Sequence, residues 1–521
     1  VAIPTILDLG ARPATLAEAF DTFWQTPQVR SLTALSDGTR SLTYAELESR
    51  TRAIAARLHA NGARPGATLA IGMERSLDAV LVLLAAIRAG LSPCVLEPRL
   101  ADDEARARVT ATGAAWLVHD DNHTALAAQG DGTCAALHVT TLEATEPTES
   151  DASLALPTLE TPALLLFTSG STGQPKVVQL SQSALLNNAL GVIAMSALDS
   201  DDRLLHVMPI YHTNGVNNQL IAPLLAGSTV VFCARFRAED MPGLIDRHRP
   251  TIITGVPTMY SRMLGQSFDR AALAGLRMAR CGSAPITEAL HREVEDKLGC
   301  PLVVSYGLSE ATCTSTLNPP QARRIGSVGK VLAGQRVELR TADGTMSAAP
   351  GVEGEICIAG ASLMTGYLGA ADATSRAVTD GWLRTGDLGR FDDAGYLYVT
   401  GRIKDVIIRG GENLSPRLIE NAITSALAVS GCCVVGKADR DLGEVPVAFV
   451  VAGNVAQPLD AEQIRDAVRQ RLSRVYVPHE VYFVDALPET AVGKIDRKAL
   501  VARLAAADFV ANEVQPIYQP L

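Results

Sequence analysis

The chain has no Cys-x-x-Cys pair, no surplus of basic charge, no apolar run long enough to span a bilayer and no Gly-x-Ser-x-Gly elbow. Each absence removes a class of function. Nine cysteines form an odd set, with Cys432 and Cys433 adjacent in a strand-like run, so a disulfide framework is not expected and a reducing compartment fits. A net charge of -10 argues against a nucleic-acid-binding surface or a polybasic membrane anchor. The most apolar run, residues 79–87, is broken by Arg88 and Gly90 and reads as a buried helix, so no membrane span is expected. The opening Val1-Ala-Ile-Pro-Thr-Ile-Leu-Asp8 lacks the basic start and apolar core of a signal peptide, and a first residue other than Met implies trimming. A cytoplasmic location is expected. Without a serine elbow, an α/β-hydrolase is disfavoured.

What is present is apolar content and alternating periodicity. With 521 residues, 47% of them hydrophobic, the chain exceeds what one core can organise, and at least two domains are expected. Helical patterns at 43–61 and 77–89 alternate with strand-like runs at 67–71 and 93–96. A second round follows, with strands at 204–208, 229–232 and 252–255 and helices at 216–225 and 241–248. This is the cadence of an α/β protein with two lobes. Beyond Gly326 short strands with turn signals indicate a β-rich subdomain. After Gly401-Arg-Ile-Lys-Asp405 a strand, a Gly-Gly turn and a helix with Ser415 as N-cap and Pro416 at its first position open a compact α+β unit. The boundary is placed at Lys404, giving domains 1–403 and 404–521.

The most informative segment is Phe167-Thr-Ser-Gly-Ser-Thr-Gly-Gln-Pro-Lys176 after an apolar strand. Small residues let backbone approach an anion, Ser169, Ser171 and Thr172 supply hydroxyl donors, and Lys176 can neutralise charge. The nucleoside-triphosphatase loop is excluded, because Pro175 precedes the lysine and Val177 follows it.

Six segments in one order resemble the adenylate-forming enzymes, a family that includes acyl-CoA synthetases, adenylation domains and firefly-type luciferases, and the resemblance covers nearly the whole chain. Thr168-Ser-Gly-Ser-Thr-Gly-Gln-Pro-Lys176 resembles the family's phosphate loop, with Val177 where the family usually has Gly. In Ser305-Tyr-Gly-Leu-Ser-Glu310 the resemblance implies that Tyr306 packs on adenine, beside Gly307 and Ser309, and that Glu310 binds Mg²⁺; Ser309 stands where the family often has Thr. Cys281-Gly-Ser-Ala-Pro285 resembles the loop flanking adenine and acyl group, which implicates Gly282, Ser283 and Ala284. Asp387, in Gly381-Trp-Leu-Arg-Thr-Gly-Asp387, resembles the reader of the ribose hydroxyls, Arg402 a ribose- or phosphate-contacting residue, and Lys404 the hinge. Lys494, in Pro488-Glu-Thr-Ala-Val-Gly-Lys494, resembles the C-terminal catalytic lysine. His212 resembles the residue where acyl pocket and thiol tunnel meet, a structural histidine being the alternative; Asn214, Asn217 and Asn218 either line the acid pocket or cap a helix.

The implied fold is a large N-terminal domain of two α/β lobes and a β-rich subdomain, with a small mobile C-terminal domain. The implied reaction joins a carboxylic acid, hydrophobic or aromatic, to coenzyme A: ATP and Mg²⁺ give acyl-AMP, and the thiol then gives a thioester. Lys494 serves the first half-reaction, and rotation about Lys404 would bring Gly410 and Gly411 to line a pantetheine tunnel in the second. Catalytic roles thus fall to Lys494, His212, Thr168 and Glu310, and nucleotide contacts to residues 169–173 (Ser169, Gly170, Ser171, Thr172, Gly173) with Lys176. Arg409, Lys437 and Arg440 are candidates for the CoA 3′-phosphate. An acyl-carrier protein as acceptor, or a nucleotide sensor without turnover, are the alternatives, and a homodimer stays open. Tyr211-His-Thr-Asn-Gly215, lacking the Asp that holds an ammonium in amino-acid adenylation domains, disfavours an α-amino acid.

Overall fold

The computed structural model describes residues 3–128, 134–142, 157–168, 176–233, 235–453, 459–490 and 494–506. Its largest sheet runs, edge to edge, through Lys330–Val331, Thr316–Leu317, Leu302–Tyr306, Met278–Cys281, Ile252–Gly255, Arg203–His206, Thr229–Phe232, Thr33–Ser36 and Ser41–Thr43. Central strands pair in parallel, from Leu302–Tyr306 to Thr33–Ser36. Covered on both faces, Ile252–Gly255 and Met278–Cys281 are buried at every position rather than at alternate ones. A four-stranded parallel sheet, Ser92–Val95, Thr68–Gly72, Trp116–His119 and Ala135–His138, forms the other lobe. The early hairpin at 33–43 joins the sheet of the second lobe, which the order of elements along the chain does not reveal.

The helix Leu77–Arg88 begins at Ser76, whose hydroxyl accepts from Ala79 N, and is buried at every position but Asp78, as its apolar content requires. Another apolar segment departs from expectation. Instead of one helix over 216–225, Asn214–Ile221 forms wide i→i+5 turns that give way to a short α-helix, Ala222–Leu225. Within the wide turns Asn214, Asn217, Asn218 and Gln219 are all buried.

A hairpin of Pro162–Thr168 and Lys176–Ser181 pairs with Gly366–Tyr367 and brings the phosphate-loop ends beside the β-rich subdomain. That subdomain is antiparallel, with Gln335–Arg340, Glu353–Gly360, Trp382–Phe391 and Leu397–Arg402 in successive pairing. Arg402 is the last residue of that sheet, and Ile407–Arg409 begins a separate five-stranded sheet that carries the helices Pro416–Thr424, Ala461–Arg469 and Arg497–Ala505. The buried clusters divide at the same place: one reaches from Ile6 to Leu397, another from Ile407 to Val481. Pro416 opens its helix as expected, but Ser415 makes no capping bond. Its hydroxyl donates instead to Thr400 O at 2.6 Å, a tether between the two sheets.

Candidate active site

The geometry centres on one carboxylate. Asp387, in the strand Trp382–Phe391, is 5% exposed; the Tyr306 hydroxyl donates to Oδ2 at 2.8 Å and Arg402 Nε donates to Oδ1 at 2.6 Å. Arg402 is held there by strand register, being the direct cross-strand partner of Asp387. Burial and the neighbouring anion both raise the Tyr306 pKa, so its hydroxyl stays a donor. Crowding by protein works against the Arg402 cation, whose side chain still reaches solvent, but Asp387 outweighs it and its pKa is raised. A carboxylate has about four acceptor positions, and two are taken here, which leaves acceptors for a vicinal diol.

A second chain of contacts starts at the phosphate-loop hairpin. Thr168 and Lys176 are cross-strand partners, and the Thr168 hydroxyl donates to Lys176 O at 3.4 Å. Ser169, Gly170, Ser171, Thr172 and Gly173 lie outside the described residues. Lys176 Nζ sits 4.7 Å from the centroid of the Tyr367 ring, and the Tyr367 hydroxyl donates to Glu310 Oε1 at 2.9 Å. Tyr367 therefore joins phosphate-loop lysine to Glu310, a link that sequence reading missed. The only signal was an aromatic between Gly366 and a turn. Ser309 and Glu310 open the short turn Ser309–Ala311. Before it stands Gly307, where an added Cβ would lie 1.9 Å from Cys313 O, so only glycine lets the backbone fold this tightly.

Gly282, Ser283 and Ala284 leave the end of the sheet strand Met278–Cys281, with Ser283 in the left-handed region at φ 68°. The His212 ring is tilted against Tyr211 with centroids 4.7 Å apart, and its Nε2 is buried without a partner among the described residues. Burial, reinforced by Lys494 and Arg108, lowers the His212 pKa to about 4. Among the described residues the three asparagines bond to other side chains rather than capping a helix: Asn214 Oδ1 accepts from Asn218 Nδ2 at 3.4 Å, Asn217 Nδ2 donates to Asn188 Oδ1 at 2.9 Å, and Asn218 Nδ2 also donates to Thr314 Oγ1 at 2.8 Å and to Cys313 Sγ at 3.1 Å.

Lys494 comes from the small domain. Thr490 N donates to Lys494 O at 2.7 Å, Lys494 N donates to Thr490 Oγ1 at 3.2 Å, and Arg262 Nη2 pairs with Glu489 Oε2 at 2.7 Å, docking this segment on the helix Pro257–Leu264. Lys494 keeps contact with solvent, yet crowding by protein and then Arg402 lower its pKa, while Asp387, Cys313 and Glu310 pull the other way. His212, Glu310, Asp387, Arg402 and Lys494 thus share one electrostatic neighbourhood. Gly410 and Gly411 do not join it. They form the exposed tip of the hairpin Ile407–Arg409 and Glu412–Leu414, both with positive φ, as a tight two-residue turn requires. Of the basic candidates near them, Arg409 donates to Val475 O and Lys437 pairs with Glu480 at 2.6 Å, while Arg440 is exposed.

The lowered pKa of His212 has a pH consequence. The unfolded value is near 6.5, so between that pH and about 4 the unfolded chain binds a proton that the folded chain refuses. The His212 contribution to stability is fully present above pH 6.5 and is lost as pH falls through this window. Wild type should therefore lose up to about 2 kcal/mol more than His212→Gln between pH 7 and pH 5. Denaturant unfolding of both proteins at the two pH values checks this, and parallel losses would contradict it.

Residues 23–368 match the family described as AMP-binding enzyme, and residues 418–494 match the AMP-binding enzyme C-terminal domain. The chain is 40% identical over 352 residues to the indoleacetate–CoA ligase of Aromatoleum aromaticum, covering 66% of this chain and 68% of that protein. It is 34% identical over 467 residues to a feruloyl-CoA synthase from an Amycolatopsis species, covering 89% and 94%. Among solved structures, ATP-bound MatB from Rhodopseudomonas palustris superposes with a TM-score of 0.85 at 29% identity, covering 93% of this chain and 98% of that one. Among the described residues no helix is long and apolar enough to cross a membrane.

Proposed function

We infer residue roles from the family to which the chain belongs: it is an AMP-binding enzyme, an ATP-dependent acid–CoA ligase that passes through an acyl-AMP. In the first half-reaction an acid carboxylate oxygen attacks the α-phosphorus of ATP and pyrophosphate leaves. In the second the CoA thiol attacks the acyl carbonyl and AMP leaves. Asp387 takes the ribose hydroxyls on its remaining acceptor positions, and the Tyr306 ring faces adenine beyond the Gly282-Ser283-Ala284 loop. Thr168, Lys176 and the loop between them hold the phosphates. His212, neutral because of its burial, borders the acyl carbonyl without adding a second positive charge beside Lys494.

Glu310 fits a Mg²⁺ site. Oε1 accepts from Tyr367, and Oε2 makes no hydrogen bond among the described residues. One carboxylate together with substrate phosphates is the usual way this ion is held. When bound, it supplies charge that offsets the repulsion between carboxylate and triphosphate. Lys494 stabilises negative charge shared by the acyl oxygen and the α-phosphate. In the second half-reaction the small domain turns about Lys404, which lies in the exposed stretch between the two sheets, so that Lys494 withdraws and Gly410-Gly411 flank the incoming thiol.

The observation that supports these roles is that Lys494, from the small domain, lies within electrostatic reach of Asp387, Glu310 and His212 from the large one. Mass spectrometry of reactions holding ATP, Mg²⁺, CoA and a panel of carboxylic acids tests the reading. Acyl-CoA and AMP are expected together. Acyl-AMP that accumulates without acyl-CoA moves the acceptor role to a carrier protein, and absence of acid-dependent pyrophosphate release refutes the ligase.

A further inference from the structure

Arg280 carries a charge that the structure leaves unanswered. It lies in the central strand Met278–Cys281 and is 3% exposed. Among the described residues its guanidinium makes one hydrogen bond, from Nη1 to Asn218 O at 3.3 Å, and no ion pair. Asp202, the acidic group whose field reaches it, is already engaged: Arg277 grips both of its oxygens, and Thr251 Oγ1 donates to Oδ1 at 2.7 Å. Burial lowers the Arg280 pKa only to about 10, so at neutral pH the group remains a cation. A buried charge without a partner is among the costliest arrangements a protein can hold.

The surroundings are polar and equally unsatisfied. Thr254 is the cross-strand partner of Arg280 and lies on the same face of the sheet, and its buried hydroxyl has no partner among the described residues. Asn218, whose carbonyl accepts from Arg280, has its Oδ1 likewise sealed from solvent and unpartnered among the described residues. This lining is continuous with the reaction centre through Cys313. The Cys313 sulfur accepts from Asn218 Nδ2, and the thiol lies within the fields of both Arg280 and Lys494.

Resting on the ligase reading above, we propose that Arg280 binds a second anionic group, a carboxylate or sulfonate, at the end of the acid remote from the carboxyl that is adenylated. The forked guanidinium matches the paired oxygens of such a group, and the Thr254 hydroxyl stands beside it as a further donor. A purely hydrophobic acid, the class that the sequence alone suggested, would strand the cation and the unpartnered atoms together. A diacid or sulfonated acid answers the cation and accepts from the Thr254 hydroxyl.

The test compares matched pairs: each of several short aliphatic and aromatic diacids against its monoamide, and each of several sulfonated acids against its sulfonamide, by acid-dependent pyrophosphate release. Wild type should prefer the doubly anionic member by at least about 100-fold in kcat/KM, within the discrimination available to a site built around a polar partner. Arg280→Met should cut that ratio about 100-fold, mainly through KM, and Arg280→Lys should retain part of it. The Tm of Arg280→Met should not fall, because an unpaired charge has been removed. Equal handling of both members by wild type overturns the proposal. So does an equal loss on both members in Arg280→Met together with a lower Tm, which would make Arg280 structural. If no acid is activated at all, the ligase reading has failed, and thermal shift then decides the anion site: diacid or sulfonated acid raises the Tm of wild type alone if it exists, and a shift in neither protein overturns it.

Discussion

Lys494→Ala should slow acyl-AMP formation about 10²- to 10³-fold, the range for removing one preorganised electrostatic contact to a transition state. Two anions meet in that step, and the lysine is a cation that the small domain brings within electrostatic reach of Glu310, Asp387 and His212. Because crowding weakens solvent screening there, its charge counts for more than on an open surface. Conversion of supplied acyl-AMP and CoA to thioester should change by no more than a few-fold, since by the proposed domain turn the lysine has then withdrawn. Pyrophosphate release and thioester formation, each followed in single turnover, separate the steps. Equal losses in both would remove the assignment.

Gly307→Ala should be as damaging by another route. The new Cβ would fall 1.9 Å from Cys313 O and 2.9 Å from Thr314 Cα, contacts with backbone that no rotamer change relieves. Nor can the opposing turn yield readily, because Thr312 and Cys313 are themselves held at φ 55° and 84°. Displacement moves Tyr306 and Glu310 together, one the anchor of Asp387 and the other held by Tyr367. We expect a loss of about 100-fold or more in kcat/KM for ATP, with about 1–3 kcal/mol of stability lost to overpacking. Gly275→Ala serves as the control: nothing lies within 4 Å of its added Cβ, and both readouts should stay near wild type. Retention of ATP use by Gly307→Ala would show that the loop is not fixed by this contact.

Where chemistry imposes a local pattern, the sequence was readable. A hydroxyl-rich loop after a strand, an acidic residue two positions past Thr385, and a lysine in a short turn each have meaning at close range. Alternation of helix and strand likewise gave the two lobes and the β-rich subdomain, because periodicity follows burial. What escaped depends on contacts far apart in the chain. Thr33–Ser36 joins the second lobe by pairing with Thr229–Phe232, nearly two hundred positions away, and nothing local marks it. The wide turns of Asn214–Ile221 bury a run that any helical wheel would half expose. Ser415 had the right residue type for a cap, yet Thr400 O offered its hydroxyl a competing acceptor. Arg280 could have been found: an arginine between Ala279 and Cys281, inside an otherwise apolar strand, is a buried charge in waiting.

The Arg262–Glu489 pair sets a bound on the enzyme's timing. Arg262 is 58% exposed, and an exposed pair of this kind is worth no more than about 1 kcal/mol and is screened by salt. A clasp that weak holds the lysine segment in place for one chemical step without trapping it there. Under the proposed domain turn, ionic strength is expected to select between the half-reactions: dilute buffer should prolong the arrangement that makes the anhydride, and added salt should release the small domain earlier toward the thiol.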